Sequence, residues 1–566
     1  MPQVINRRLL LAAAVVAIWI AGCTPAPADY DLIIRNGTIY DGLGGEPFVG
    51  DVAISGDRIA AVGDLASAVA TKEIDAAGKA VSPGFINMLS WANASLIEDG
   101  RGMSDLKQGV TLEVMGEGWS MGPWNDRLKT EALARQGDIK FSIEWTSLGE
   151  YMEYLTTKGI SPNVASYVGA TTVRIHEVGY DKRKATDDEL ARMQNLVREA
   201  MREGALGVGS SLIYAPANFA DTDELIALVS AATEFGGAYI SHIRSESTWL
   251  EDGVQELIDI ARVTGAPAEI YHLKASGKSN WHKLERVFEM VEAARAEGLA
   301  ITADMYTYPA SATGLNAAMP LWVQEGGHDA WLARLKDPEL RARVVHEMTS
   351  PDVDWNNAYL QVGPENILLL GFKTDRLKPL IGKWLSEVAE ERGTHPAETA
   401  IDLVIEDNHR VDVSYFGMSE ENVSKKVARP WVSFGSDEEA SATEGVFLLS
   451  NNHPRAFGTF ARVLGKYVRD EGIIPLKEAI RRMTSLPAAN IQIRDRGQLT
   501  EGYFADIVVF DPATVSDHAT FPEPHQYATG VEQVFVNGVQ VIQDSEHTGA
   551  TPGRVVRGPG WSGWSE

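Results

Sequence analysis

Residues 238–246 read AYISHIRSE and residues 268–277 read AEIYHLKASG. Each is a short apolar run that closes on a histidine, His242 and then His272, with a cation two residues further on, Arg244 and Lys274. Short apolar runs of this kind read as buried strands. Six more fall near 84–89, 111–116, 165–169, 206–210, 300–304 and 431–436, and amphipathic helices such as 187–204 and 281–298 lie between strands. Strand–helix alternation predicts a parallel sheet, and eight such units predict a (β/α)8 TIM-like barrel. A doubly wound sheet is the competing architecture, but the chain carries no Gly-rich dinucleotide fingerprint. In a barrel, chemistry gathers at the C-terminal ends of the strands, where both histidines fall.

Two imidazoles on neighbouring strand ends make a divalent-metal pair, whereas a lone strand-end histidine is more often a packing residue. A catalytic zinc site takes a third protein ligand. GVTLEVMGEGWSMGP (109–123) offers Glu117, a carboxylate between two glycines just past a strand. Glu113 has the same strand parity and is the rival, but it lies inside the filled barrel. WVSFGSDEEAS (431–441) ends the last strand with Asp437. An aspartate there can take a proton from an activated water and return it to a leaving amine; the bland alternative is a helix cap. Arg244 and Lys274 share the strand face of the histidines, and Arg174 follows another strand; all three are candidates to hold a substrate carboxylate. His453 and Arg455 either line the same pocket or cap the next helix.

The chain has 566 residues, more than one simple core holds. DLIIRNGTIYDG (31–42), DVAISGDRIAAVG (51–63), ADIVVFDP (505–512) and VEQVFVNGVQVI (531–542) read as strands and hairpins, with Asn36-Gly37 a hairpin signal. Strands from both chain ends therefore form one small β-sandwich domain, residues 30–80 and 488–557, around a barrel at 81–487 that carries a helical insertion at about 314–365. A net charge of −27 argues against a nucleic-acid binder. Arg7 and Arg8 precede LLLAAAVVAIWIAGC, a basic and then apolar pattern of an export signal at 1–22, also compatible with a twin-arginine route. IAGC resembles a bacterial lipobox. That resemblance implies a lipid on Cys23, the only cysteine, a tether at 23–29, and a place on the periplasmic side of a membrane, the outer membrane being expected.

PGFIN (83–87), QGVT (108–111), SHIRSE (241–246), HLKASG (272–277), DMYTYPASATGL (304–315), GSD (435–437), HPRAFGTFARVLGKYVR (453–469) and FADIVVFDP (504–512) occur in the order of the D-aminoacylase branch of the amidohydrolase superfamily, which the chain resembles from about residue 30 to about residue 557. The resemblance implies a metal-dependent barrel that hydrolyses N-acyl-D-amino acids. It implies that His242 and His272 hold the tightly bound metal and that Asp437 is the catalytic aspartate. Glu117 falls at, or one residue from, the family's bridging cysteine, in a loop one residue shorter. Lys274, Tyr306 and Ser311 match positions that hold the substrate's α-carboxylate. The departure is NMLSWANAS (87–95), where Leu89 and Trp91 stand in place of the family's His-X-His. Neither side chain binds zinc, so one divalent metal, zinc being expected, remains with Glu117, His242 and His272. The expected activity is hydrolysis of a small linear amide carrying a carboxylate. A cyclic-amide hydrolase of dihydroorotase or hydantoinase type ranks lower, because no lysine ends a strand in a bridging position. A non-catalytic surface binding lipoprotein is the alternative from another class.

Overall fold

The computed structural model describes residues 28–563. The stretch read as an export signal and Cys23 lie outside the described residues, and no described helix is long and apolar enough to cross a membrane.

Both chain ends enter one sheet. Its order runs Glu546–His547, Val539–Gln543, Val531–Val536, Ile507–Phe510, Ala80–Pro83, Tyr30–Ile39, Phe48–Ser55, Arg58–Gly63, with Ala70–Asp75 also on Tyr30–Ile39. The join is the antiparallel pairing of Ala80–Pro83 with Ile507–Phe510, Val81 opposite Val509. Hydrogen bonding thus links all nine strands where two separate sheets were expected. The sheet curls over a core that includes Ile34, Val52, Val81, Val509 and Phe535, and Lys72 on one edge strand reaches Gln540 Oε1 at 2.5 Å.

Asn36-Gly37 does not turn a hairpin. The strand Tyr30–Ile39 runs through it with a register shift between Ile34 and Gly37, and Asn36 sits at φ 59. A side chain at residue 37 would drive a Cβ to 2.4 Å from Val81 Cγ2, so the pair makes a bulge that brings two backbones together. Asn537-Gly538 does turn the hairpin between Val531–Val536 and Val539–Gln543, with φ 50 and 78.

Eight parallel strand positions follow one another in two sheets. Phe85–Asn87, Val110–Met115 and Asn163–Ser166 form one. Val168–Gly169, Gly207–Ser211, Ala238–His242, Ala268–Ile270, Ile301–Met305 and Val432–Phe434 form the other. Only Tyr167 separates the sheets on one side. On the other, Met88 N donates to Phe434 O (3.3 Å), Asp437 N to Leu89 O (2.8 Å) and Trp91 N to Glu438 O (2.9 Å). Every residue of these strands is buried, as expected when helices cover a parallel sheet. The helices begin at local start signals: Thr186 and Glu189 form a capping box for Asp187–Arg202, and Asp221 caps Thr222–Thr233.

The insertion is larger than the expected 314–365. Ser311–Gly314, Asp412–Tyr415 and Ile367–Gly371 form their own three-stranded antiparallel sheet, in that order, around a core including Leu315, Leu369, Ile401 and Val413. Its strands are four or five residues long, too short to show a period beside the helices around them.

Candidate metal centre

His242 is the last residue of its strand. His272 lies two residues beyond Ala268–Ile270 at φ 35, its N–H held by Asp304 Oδ1 at 2.8 Å. A non-glycine residue in that region is uncommon and needs such a clamp. Glu117 follows Val110–Met115 between Gly116 and Gly118, both at positive φ. A Cβ at residue 118 would lie 2.0 Å from Ser211 Oγ, so the glycine lets this loop press against the end of Gly207–Ser211 and carry Glu117 to the histidines.

The three side chains meet. Their ligand atoms lie within 4.8 Å of one another, and all three residues are buried. Glu117 Oε1 is 2.8 Å from His242 Nδ1 and 3.1 Å from His272 Nε2, and the two rings stand edge to face at 4.4 Å. A second carboxylate covers the outer nitrogens: Glu246 Oε1 is 3.0 Å from His272 Nδ1 and 2.5 Å from Lys274 Nζ, and Oε2 is 3.5 Å from His242 Nε2. Burial alone would raise the Glu117 carboxyl, but His272 and His242 outweigh it and hold it down at about 2. Burial and Lys274 oppose a proton on His272, yet Glu246, Glu117 and Asp437 push it up to about 10. The site therefore favours positive charge. A carboxylate and two imidazoles, buried and converging, fit a divalent cation.

Asp437 stands beside this set at φ 54. Trp91 donates its indole N–H to Oδ1 (3.1 Å), and Arg455 Nη1 lies 2.6 Å from Oδ2. Burial raises the Asp437 carboxyl, against the pull of Arg455 and His272. Leu89 is buried, and Trp91 lines a cavity of about 1530 Å³ together with Glu117, His242, His272, Lys274 and Asp437. The insertion supplies another wall, with Asn316, Trp331 and Tyr415.

Other sequence candidates fall in different places. Ser311 lines the cavity, and the Lys274 ammonium is buried against Glu246. Tyr306 lies behind the wall, its ring 4.4 Å from the Arg455 guanidinium and its hydroxyl without a partner among the described residues. Arg174 does not reach the cavity; it is buried in an ion pair with Glu224 and also donates to the Arg183 carbonyl. Arg244 lies on the rim, but its guanidinium clamps Glu256 through two nitrogens at 2.9 Å and donates to Asn218 and Ala220 carbonyls. Both arginines were expected as carboxylate binders; acids from neighbouring helices already occupy them. Glu113 is away from the histidines, bonded to Asn87 Nδ2 at 3.0 Å, and burial lifts its carboxyl to about 7. His453 both lines the cavity and accepts the Arg455 N–H at 3.0 Å, with Nε2 on the Ala310 carbonyl. Glu246 is the residue that sequence reasoning missed; its signal was a carboxylate four residues after His242.

The amidohydrolase family model matches residues 72–542. A D-aminoacylase from Alcaligenes xylosoxydans xylosoxydans is 33% identical over 531 residues, 93% of this chain and 97% of that protein. A D-aminoacylase structure, described for its binuclear metal centre with one-metal activation and second-metal attenuation, is 32% identical over 93% of this chain and 100% of its own, with a TM-score of 0.77. The N-acyl-D-glutamate deacylase of Bordetella bronchiseptica, solved with zinc and a phosphonate mimic of the tetrahedral intermediate, is 30% identical over 93% and 99%, with a TM-score of 0.77. The chain belongs to the amidohydrolase family and is an enzyme of that family. Within it, the similarity places the chain in the D-aminoacylase branch.

Proposed function

We propose that this enzyme hydrolyses N-acyl-D-amino acids to a D-amino acid and a carboxylic acid, with one divalent cation, zinc by its donor set, held by Glu117, His242 and His272. In this reading the two parallel sheets are arcs of one (β/α)8 barrel, and the chain-end sheet is a separate domain. The observation that carries it is the convergence of these three donors at strand ends, in one cavity with Asp437 and the Trp91 that bonds it.

A cation bound there supplies Lewis acidity, which lets water ionise near neutral pH. Asp437 accepts a proton from the attacking water as its oxygen adds to the amide carbonyl carbon. The C–N bond then breaks, and the same carboxyl returns the proton to the leaving nitrogen. Burial favours the protonated form that this return needs. Ser311 lines the wall that would face the substrate's α-carboxylate, and Lys274, also on that wall, would share its ammonium between Glu246 and the substrate.

The test is metal content of the chain lacking residues 1–23, paired with turnover of N-acyl-D and N-acyl-L amino acids. One metal per chain with chelator-sensitive release of D-amino acids is expected. Metal without such turnover would overturn the substrate assignment, and neither metal nor turnover would favour a binding scaffold. We also propose an exported lipoprotein; Cys23→Ser should then move activity from the membrane to the soluble fraction, and unchanged fractionation would refute it.

A further inference from the structure

We propose that Trp91 is a positioning residue for Asp437, its indole N–H holding one oxygen of the carboxylate in line for proton transfer. Trp91 Nε1 donates to Oδ1 at 3.1 Å, while the Arg455 guanidinium faces Oδ2 at 2.6 Å. The carboxylate is gripped at both ends, and each oxygen keeps a lone pair for a proton. The two partners differ in kind. Arg455 brings charge, whereas the indole brings a fixed, neutral donor that cannot bind a metal.

The backbone explains why this donor stays in register. Asp437 N donates to Leu89 O at 2.8 Å, and Trp91 N donates to Glu438 O at 2.9 Å. The 89–91 segment is thus laced to the 437–438 turn on either side of the indole contact. Asp437 also sits at φ 54, a conformation that an aspartate adopts at a cost and that this lacing maintains. The substitution of tryptophan at this position then has a chemical reading: the residue that removes a second ligand set also orients the proton carrier.

The inference rests on Asp437 carrying the proton, so the experiment includes Asp437→Asn. Trp91→Phe keeps the ring and removes the donor. A hydrogen bond to a charged group is worth roughly tenfold or more in rate. We expect kcat to fall by about that factor, with KM and metal content unchanged. The acidic limb of the kcat profile should move up in pH, because the lost bond favoured the ionised carboxylate. Arg455, His272, Glu117 and Lys274 also act on Asp437 and are untouched by the substitution. Trp91→Gln, which offers an amide donor, should exceed Trp91→Leu, and this pair makes the same comparison if the phenylalanine variant does not fold. Turnover that survives Asp437→Asn would sink the proton-carrier reading itself. Turnover lost in Asp437→Asn but unchanged in Trp91→Phe, with an unmoved acidic limb, would overturn the role of Trp91 alone.

Discussion

Two carboxylates flank the same pair of imidazoles, and their replacement should have different consequences. Glu117 faces His242 Nδ1 and His272 Nε2, whereas Glu246 faces His242 Nε2 and His272 Nδ1. A neutral imidazole has one bare nitrogen for a metal and one N–H for a partner. If Glu117 is the ligand, the bare nitrogens are the two beside it and the N–H groups point at Glu246. Glu117→Gln then removes one of three protein ligands and the only anionic one, and stoichiometric metal should be lost. Glu246→Gln keeps all three ligands but weakens the acceptor at His272 Nδ1, while His242 Nε2, 3.5 Å from Glu246, makes no hydrogen bond to it. Losing such an outer partner costs about 10–100-fold in metal affinity, or roughly 1.4–2.8 kcal/mol. Competition against a series of chelators of graded affinity measures both changes in the purified enzyme. Retention of one metal by Glu117→Gln together with its loss in Glu246→Gln would refute the assignment and exchange the roles of the two residues.

Gly118→Ala should lower metal occupancy, because its Cβ would meet Ser211 Oγ at 2.0 Å at a backbone φ of +67; full occupancy at unchanged thermal stability would show that the loop is not so confined. Arg174→Met leaves Glu224 buried without its partner and should destabilise the fold by about 3–5 kcal/mol in denaturant titration, while KM of the folded enzyme stays constant; a raised KM would return Arg174 to the substrate. Burial raises Glu269 to about 7, against hydrogen bonds from Thr302 and Asn490. Its folded value lies above the unfolded one of about 4.5, so between those values the native state holds a proton that the unfolded state releases. Stability therefore falls as pH rises through that window and levels off above about 7. Glu269→Gln should raise Tm more at pH ~8 than at pH ~5; an equal shift at both would mean that Glu269 does not titrate there.

The parallel strands were legible because buried parallel strands are continuous apolar runs: the readings at 238–242 and 300–304 fall within a residue of Ala238–His242 and Ile301–Met305. The meeting of His242, His272 and Glu117 was legible too, since strand-end positions translate directly into proximity in this architecture. What escaped was side-chain direction. Arg174 and Arg244 follow strands as Lys274 does, but Glu224 and Glu256, from later helices, take up their guanidinium groups. Glu246 was overlooked because its role depends on a loop turning back towards both rings. Asn36-Gly37 misled because positive φ serves a bulge as well as a turn, and only the neighbouring strand Ala80–Pro83 decides between them.

The pairing of Ala80–Pro83 with Ile507–Phe510 sets a timetable for the newly made chain. Pro83 and Ile507 are opposite one another in the sheet but 507 − 83 = 424 residues apart in sequence. At roughly 5–20 residues per second, the first of these strands waits about 20–85 s for its neighbour to be synthesised. During that interval its hydrogen-bonding edge is an open template for other chains. Whatever attends the early chain must shield that edge until translation is nearly finished, and a truncation before residue 507 leaves it permanently exposed.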